Sequence, residues 1–320
     1  MKLDQIIKKI KRKFYFFRIR TFYKRKADKF YNSMVEEARK ENSLFIVLTP
    51  LIGDTIYGMA YIEEIKKKNP QKKIIVVGSK KLEGIISTYP CVDEFRLIDT
   101  KRHGYDPISL YLWSSEKANE GLRVGIYNSM PLFYANLKDK QDPDILKLLR
   151  EDVYELRKGA TITYHHIPRK PIEAIINYSE IKDRIVLINP YSNSVLNGNY
   201  NLYEKLTAWL RDNGYFVFTN VVGNQKAIVG STPLRCTLEE LYSIACDIPL
   251  IISVRSGILD LIITSNVNML VFYETKGNRF NKAYHLESWK CKGKIVEAFF
   301  DEKDHSLEEQ TLYELLKRTE

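Results

Sequence analysis

Between Ser43 and Tyr273, short runs of apolar, mostly β-branched residues alternate with stretches whose apolar positions recur every three or four residues. A strand buried on both faces needs a continuous apolar run, and a three-to-four spacing marks one face of a helix. The alternation therefore predicts an α/β chain with parallel sheets. In the first half, Leu44–Leu48 is expected as a buried strand, Thr55–Lys68 as a helix closed by Asn69-Pro70, and Lys73–Val77 as a second strand. Val92–Ile98 and Leu122–Tyr127 are expected as further strands, while residues 101–120 and 130–180 show no clear period. In the second half the order is Arg184–Ile188 (strand), Leu202–Asp212 (helix, stopped by Asn213-Gly214) and Tyr215–Thr219 (strand). Thr237 and Glu240 have capping-box spacing for the next helix, followed by strand Pro249–Val254, helix Gly257–Ser265 and strand Met269–Tyr273. Two Rossmann-like domains in series follow, with a boundary near residues 170–183. The expected organisation is a helix over 1–41, a domain over 42–178 and a domain over 179–320.

Ahead of Ser43 the pattern changes. Leu3, Ile6, Ile7, Ile10, Phe14 and Phe17 form one apolar stripe on a helix, with Lys8, Lys9, Lys11, Arg12 and Lys13 mainly on its other faces. Of the 50 Lys+Arg and 40 Asp+Glu in 320 residues, 12 basic and 2 acidic fall in residues 1–31, leaving 38 of each sign beyond. The formal charge of +10 thus belongs to the amino-terminal segment. The remainder is neutral, which argues against a nucleic-acid-binding body. Residues 1–31 also hold eight Phe or Tyr, and a cationic helix with an aliphatic and aromatic face has the composition of an interfacial membrane helix. Each basic side chain near an anionic leaflet contributes about 1 kcal/mol. Lys8, Lys9, Lys11, Arg12, Lys13, Phe14 and Phe17 are the expected contacts with an anionic membrane surface. The competing readings are a solvated helix packed on its own body or on a second subunit, which leaves a homo-oligomer open, and a tail that binds nucleic acid.

No stretch reaches the roughly 20 apolar residues that cross a bilayer, and no uninterrupted apolar region follows the first basic residues. The expected location is the cytoplasm, peripherally on the inner face of the cell membrane. Cys91, Cys236, Cys246 and Cys291 are too far apart for paired metal ligands and show no disulfide framework, so free thiols are expected. The adjacent His165 and His166 would point to opposite sides of an extended chain and read as packing or surface residues. Neither a metal nor a cofactor is expected. The absence of GxxxxGK[ST], and of GxGxxG after a strand, argues against P-loop NTPases and typical dinucleotide dehydrogenases.

Ligands of open parallel sheets bind beyond the carboxyl ends of strands, so the strand-to-helix turns are where chemistry is expected. In Thr49-Pro50-Leu51-Ile52-Gly53-Asp54, Asp54 is either a general base for an attacking hydroxyl or the N-cap of the following helix. Asn189-Pro190-Tyr191-Ser192-Asn193-Ser194 offers small polar side chains to phosphate oxygens or is a simple loop. In Ser253-Val254-Arg255-Ser256-Gly257-Ile258-Leu259-Asp260 a buried strand runs directly into a helix, so amides of Gly257 and Ile258 at its positive end favour an anion. Arg255 adds a planar donor fork suited to a diphosphate, and Asp260 faces either sugar hydroxyls or Arg255. The bland alternative makes Ser256 a cap and Arg255–Asp260 a structural ion pair.

Taken in order, LIGDTIYGMAYIEEIKKKNPQKKIIVVG, YPCVDEF, INPYSNSV, LTAWLRDNGYFVFTNVVGNQ, TLEELYSIACDIPLIISVRSGILDLI and NMLVFY resemble the ADP-heptose:lipopolysaccharide heptosyltransferase family. The RSGxxD turn also resembles related bacterial surface-polysaccharide transferases. The resemblance implies a GT-B fold, with two Rossmann-like domains facing a cleft, donor on the second and acceptor on the first. It also implies metal-independent, inverting transfer of a sugar from a nucleotide-diphosphate donor. By position, Asp54 matches the catalytic base, Ser192 and Ser194 fall in the phosphate loop, and Ser256 and Gly257 fall at the diphosphate-binding helix start. Asn220 and Gln225 follow the next strand, Gln225 standing where a ribose-binding Glu is common. Arg255 replaces an acidic residue, and Asp260 falls near a usual histidine. With the tail, the expected acceptor is a lipid-linked saccharide in bacterial surface polysaccharide biosynthesis. A nucleotide-sugar epimerase or hydrolase of the same fold, and a non-catalytic membrane-docked interaction protein, are the alternatives.

Overall fold

The computed structural model describes residues 23–98, 125–128, 144–192, 200–274 and 283–300, with residues 7, 10, 11, 13–15, 17, 21 and 317. The chain divides into two compact units, residues 1–141 with 145–165, and residues 142–144 with 166–320.

The first unit begins with helix α1, Lys24–Lys40, whose buried positions Ala27, Tyr31, Met34 and Ala38 fall on one face. That face joins Phe45, Val47, Ile75, Val77 and Ile126 in a single apolar cluster. Asn42, left-handed at φ 50°, turns the chain back into strand β1, Ser43–Val47. Helices α2 (Ile52–Met59) and α3 (Ile62–Lys68) lead to β2 (Lys73–Gly78), α4 (Glu83–Ile86), β3 (Glu94–Leu97) and β4 (Ile126–Asn128). All pairings are parallel, in the order β3-β2-β1-β4. Every residue of β1, and all of β2 after Lys73, is buried, which accounts for their unbroken apolar runs.

Two expectations need correction here. The helix expected over Thr55–Lys68 starts earlier, at Ile52, and is broken between Met59 and Ile62. The break has partners on a distant segment. The Tyr154 hydroxyl donates to the Gly58 carbonyl, the Thr163 amide donates to the Ala60 carbonyl (2.6 Å), and the Glu63 amide donates to Thr163 Oγ1 (3.2 Å). The basic amino-terminal segment is also not uniform: Lys24–Lys40 belongs to the core of the first unit, whereas Ile7, Ile10, Phe14 and Phe17 are helical and exposed.

The second unit runs β5 (Ile185–Asn189), α5 (Tyr200–Asp212), β6 (Phe216–Asn220), β7 (Thr232–Leu234), α6 (Leu238–Ala245), β8 (Leu250–Val254), α7 (Gly257–Ile262), β9 (Asn268–Glu274) and β10 (Ile295–Phe300). The sheet is parallel, in the order β10-β9-β8-β5-β6-β7. Counted from β5 this is the 3-2-1-4-5-6 order of a doubly wound nucleotide-binding sheet. Leu202, Tyr203, Leu206 and Leu210 of α5 pack with Val186, Ile188, Val217, Ile252 and Phe272 from four strands. The Thr237–Glu240 capping box is present: Thr237 Oγ1 accepts from the Glu240 amide (3.2 Å) and Glu240 Oε2 from the Thr237 amide (2.7 Å). Gly214, at φ 83°, ends α5 in the left-handed conformation that its sequence position predicts.

Candidate functional site

Strand order locates the turns where a ligand would sit. In the first sheet the direction of winding reverses between β1 and β4, and in the second between β5 and β8. At such points the flanking helices leave on opposite faces and open a crevice at the strand carboxyl ends.

Thr49–Asp54 emerges from β1 at the first of these points. Leu51 is the N-cap residue of α2, with extended backbone and no capping side chain, so Asp54 is the third helical residue and not the N-cap. Thr49 Oγ1 donates to Asp54 Oδ2 (3.0 Å) from the preceding turn. The buried Thr55 ties the turn to its helix, its hydroxyl donating to the Leu51 carbonyl (2.8 Å). Asp54 is partly exposed, so this arrangement orients a solvent-accessible carboxylate at the strand's carboxyl edge.

At the second point, four buried neutral side chains link three strand ends. Asn189 Nδ2 donates to Ser253 Oγ (3.0 Å) and Ser256 Oγ (3.1 Å), and Asn220 Nδ2 donates to Asn189 Oδ1 (3.0 Å). Ser256 occupies the N-cap position of α7 but its side chain does not cap the helix, because the hydroxyl is turned to Asn189. Asn189 and Ser253 are register partners across the β5–β8 pair, and no other pairing would bring this amide onto that hydroxyl. The network therefore locks the turns after β5, β6 and β8 into one relative position.

Arg255 is 8% and Asp260 2% exposed. The guanidinium donates to both carboxylate oxygens, Nη1 to Oδ2 (3.1 Å) and Nη2 to Oδ1 (2.6 Å). Nε donates to the Tyr284 carbonyl (2.9 Å), and Nη1 also to the Ser256 carbonyl (2.7 Å). The fork thus clamps its own turn and the segment that leads into β10. Gln225 is engaged locally, its Oε1 accepting from the Val222 amide (2.8 Å). The Tyr191 hydroxyl donates to the Lys226 carbonyl, joining the loops after β5 and β6. Ser192 is partly exposed beside Tyr191, and Gly257 begins α7. Ser194, Lys8, Lys9 and Arg12 lie outside the described residues, while Lys11, Lys13, Phe14 and Phe17 are exposed.

Sequence reasoning missed a second cluster on this edge. Glu297 of β10 accepts from His285 Nδ1 (2.9 Å), the Leu286 amide (3.0 Å) and the Tyr273 hydroxyl. Burial alone would push its carboxyl up, yet the bonds from His285, Tyr273 and Leu286 hold it below the usual range. Its three partners come from separate elements, so no spacing announces them. Burial pushes the Cys91 thiol up to about 11 and Cys236 up to about 12, and raises Cys246 and Cys291, which favours the protonated thiol in all four. His165 is buried against the Tyr89 ring and His166 is exposed. A recess of about 340 Å³ lined by Asp183, Asp247, Pro249 and Asn266 lies at the amino ends of β5, β8 and β9, the edge opposite these turns. Among the described residues no group of three or more His, Cys, Asp or Glu is placed to hold a metal ion, and no helix is long and apolar enough to cross a membrane.

No protein-family model and no curated protein matches the chain. Solved structures do. The glycosyl transferase family 9 structure from Veillonella parvula is similar at a TM-score of 0.56 and 14% identity, over 86% of this chain and 96% of that one. The E. coli ADP-heptose lps heptosyltransferase II gives 0.55 at 12% identity, over 86% and 97%. E. coli heptosyltransferase WaaC with ADP gives 0.57 at 10%, over 87% and 100%. The chain has the fold of these glycosyltransferases. In this fold the sequence resemblance and the strand order meet: the quoted turns, Thr49–Asp54 and Ser253–Asp260, are those that leave the strands at the two winding reversals.

Proposed function

We propose that the protein is a metal-independent, inverting glycosyltransferase. It moves a sugar from a nucleotide-diphosphate donor to a lipid-linked saccharide in bacterial surface polysaccharide biosynthesis, at an anionic membrane surface. The observation that carries the reading is the oriented, partly exposed Asp54 at the winding reversal of the first sheet. The neutral network and Ser256–Gly257 turn at the reversal of the second sheet, in a fold shared with heptosyltransferases, support it. In this reading the acceptor oxygen attacks the anomeric carbon while the bond to the diphosphate oxygen breaks, and the electron pair leaves with the nucleoside diphosphate. The acceptor proton passes to Asp54, and inversion follows from attack opposite the leaving group. Backbone amides at the start of α7 and the Ser192 loop meet the diphosphate, with Asn220 and Gln225 on the nucleoside side. Arg255 and Asp260 enter as the clamp that holds the turn in shape.

The test is a thermal-shift panel of ADP-, UDP-, GDP- and CMP-sugars followed by transfer assays with the sugar that binds. A donor at 100 times its Kd stabilises the protein by about 2.7 kcal/mol. Asp54→Asn is expected to keep that shift and lose transfer. Silence across the panel, or full turnover by Asp54→Asn, sinks the reading.

A further inference from the structure

Helix α1 is packed into the core of the first unit, which a mere membrane tether does not require. The short Glu41–Asn42 turn reverses the chain into β1, and Ala27, Tyr31, Met34 and Ala38 lie in one apolar cluster with strand side chains, so α1 runs antiparallel to β1 along the sheet. Its 17 residues make it about 25 Å long, whereas the five of β1 span about 16 Å. The amino end of α1 must then reach the carboxyl edge of the sheet and pass it. That is the edge from which Thr49–Asp54 emerges, so the exposed helical residues Ile7, Ile10, Phe14 and Phe17 enter the fold at the side where Asp54 stands.

The charge at this edge points to its occupant. Here α1 begins Lys24-Arg25-Lys26, all exposed, with no acidic residue in its first turn. Asp28 follows one turn on, then the exposed Lys29. Thr21 and Tyr23 ahead of it are helical as well, so these cations stand within a longer helical stretch. The other end of α1, at the sheet's amino edge, is mixed in sign, with Glu36, Arg39, Lys40 and Glu41. Ahead of the cationic end come Ile10, Phe14 and Phe17, 61–63% exposed, beside the exposed Lys11 and Lys13. Exposed apolar side chains beside exposed cations complement an anionic lipid surface, where the charges meet headgroups and the rings enter the acyl boundary.

We infer that α1 is a strut that fixes the first unit on the membrane with the carboxyl edge of its sheet, and therefore the Asp54 turn, facing anionic lipid. This rests on the reading of that unit as the acceptor unit, and it narrows the acceptor to one whose reactive hydroxyl lies close to the headgroups.

Two measurements on the full chain test it. In sedimentation with phosphatidylglycerol-containing vesicles, Phe14→Glu with Phe17→Glu is expected to lower binding about tenfold or more. Lys24→Gln, Arg25→Gln and Lys26→Gln together should lower it by about fivefold per charge. The triple variant should at the same time unfold no earlier than wild type, because a structural role would lower stability while a docking role of exposed side chains leaves the fold intact. Orientation is read in a background with the four cysteines replaced by alanine and thermal unfolding matched to wild type. A fluorophore on Leu51→Cys, at the carboxyl edge, is expected to be quenched by nitroxide lipids about twofold more than one on Gln71→Cys at the amino edge, because interfacial helices seat only ~5–10 Å deep. Equal quenching, or stronger quenching at position 71, overturns the strut. Failure to sediment with anionic vesicles overturns it too, whether the chain instead self-associates through Phe14 and Phe17 or binds single-stranded RNA. None of these outcomes depends on the sugar-donor panel, so the transferase reading and the strut can fail separately.

Discussion

Arg255 and Asp260 give the sharpest contrast between a ligand-binding fork and an internal clamp. Both side chains are almost wholly removed from solvent, 9% and 2% exposed. Arg255→Met leaves a buried carboxylate without its cation, and Asp260→Leu leaves a buried guanidinium without its anion. Breaking a buried pair from either side costs about 3–5 kcal/mol. Removing both partners eliminates the uncompensated charge, leaving mainly the carbonyls of Tyr284 and Ser256 without their donors, at about 1–3 kcal/mol. The double variant should therefore be more stable than either single one. Chemical denaturation followed by tryptophan emission in a Trp113→Phe background suits the measurement, because the other two tryptophans, Trp209 and Trp289, both lie in the second unit. A loss of this size would lower that unit's melting temperature by about 10 °C. The clamp would be refuted if both single variants lost less than about 1 kcal/mol and Arg255→Met alone abolished stabilisation by every nucleotide sugar. That pair of results would mean that the guanidinium is held for the ligand.

Other expectations are more local. At Gly293 an added Cβ would stand 2.1 Å from the Val267 carbonyl oxygen. Gly293→Ala should force the start of β10 away from that strand entry and cost about 1–3 kcal/mol in the same denaturation assay; an unchanged midpoint would show that the backbone shifts freely. In the first unit Arg96 bridges Glu37 of α1 and Glu94 of β3, and Lys73 also meets Glu94. Hydrogen bonds from Arg96 and Lys73 lower Glu94 from 4.5 to about 2. A carboxyl lowered on folding stabilises above its unfolded value and loses that contribution as pH falls through the folded one. Stability of the first unit should accordingly drop between about pH 4.5 and 2, and Arg96→Met should flatten that part of the profile. A parallel acid profile in the variant would exclude the bridge as its cause.

Which features were legible before the structure follows from where each residue's partners lie. β1 and β5 announce themselves because both faces are covered, forcing unbroken runs such as Leu44–Val47 and Ile185–Ile188. The capping box at Thr237 is equally open to reading, its two bonds closing within four residues. β7 is not: three residues long, at the sheet edge and containing Pro233, it carries almost no pattern. The break after Met59 depends on Tyr154 and Thr163, about a hundred residues away, so the local text shows only an unbroken helical period. The site divides along the same line. The positions of Asp54, Ser256 and Arg255 at strand ends follow from local order, but the five-residue spacing of Arg255 and Asp260 fits a ligand fork as well as an ion pair. Only the register of β5 with β8 reveals that Ser256 serves Asn189 and not its own helix.

The seating of α1 also fixes where the chain may be shortened. A cut at Ser43, where the strand pattern begins, would strip Tyr31 and Met34 from the sheet and expose Phe45, Val47, Ile75 and Val77 to water. Each buried side chain of that size is worth about 1.5–3 kcal/mol, so such a fragment would aggregate or fail to fold. A cut just before Lys24 removes the exposed stripe and spares the core. The practical boundary for expressing a well-behaved protein falls inside the basic segment, about twenty residues before the strand pattern begins at Ser43.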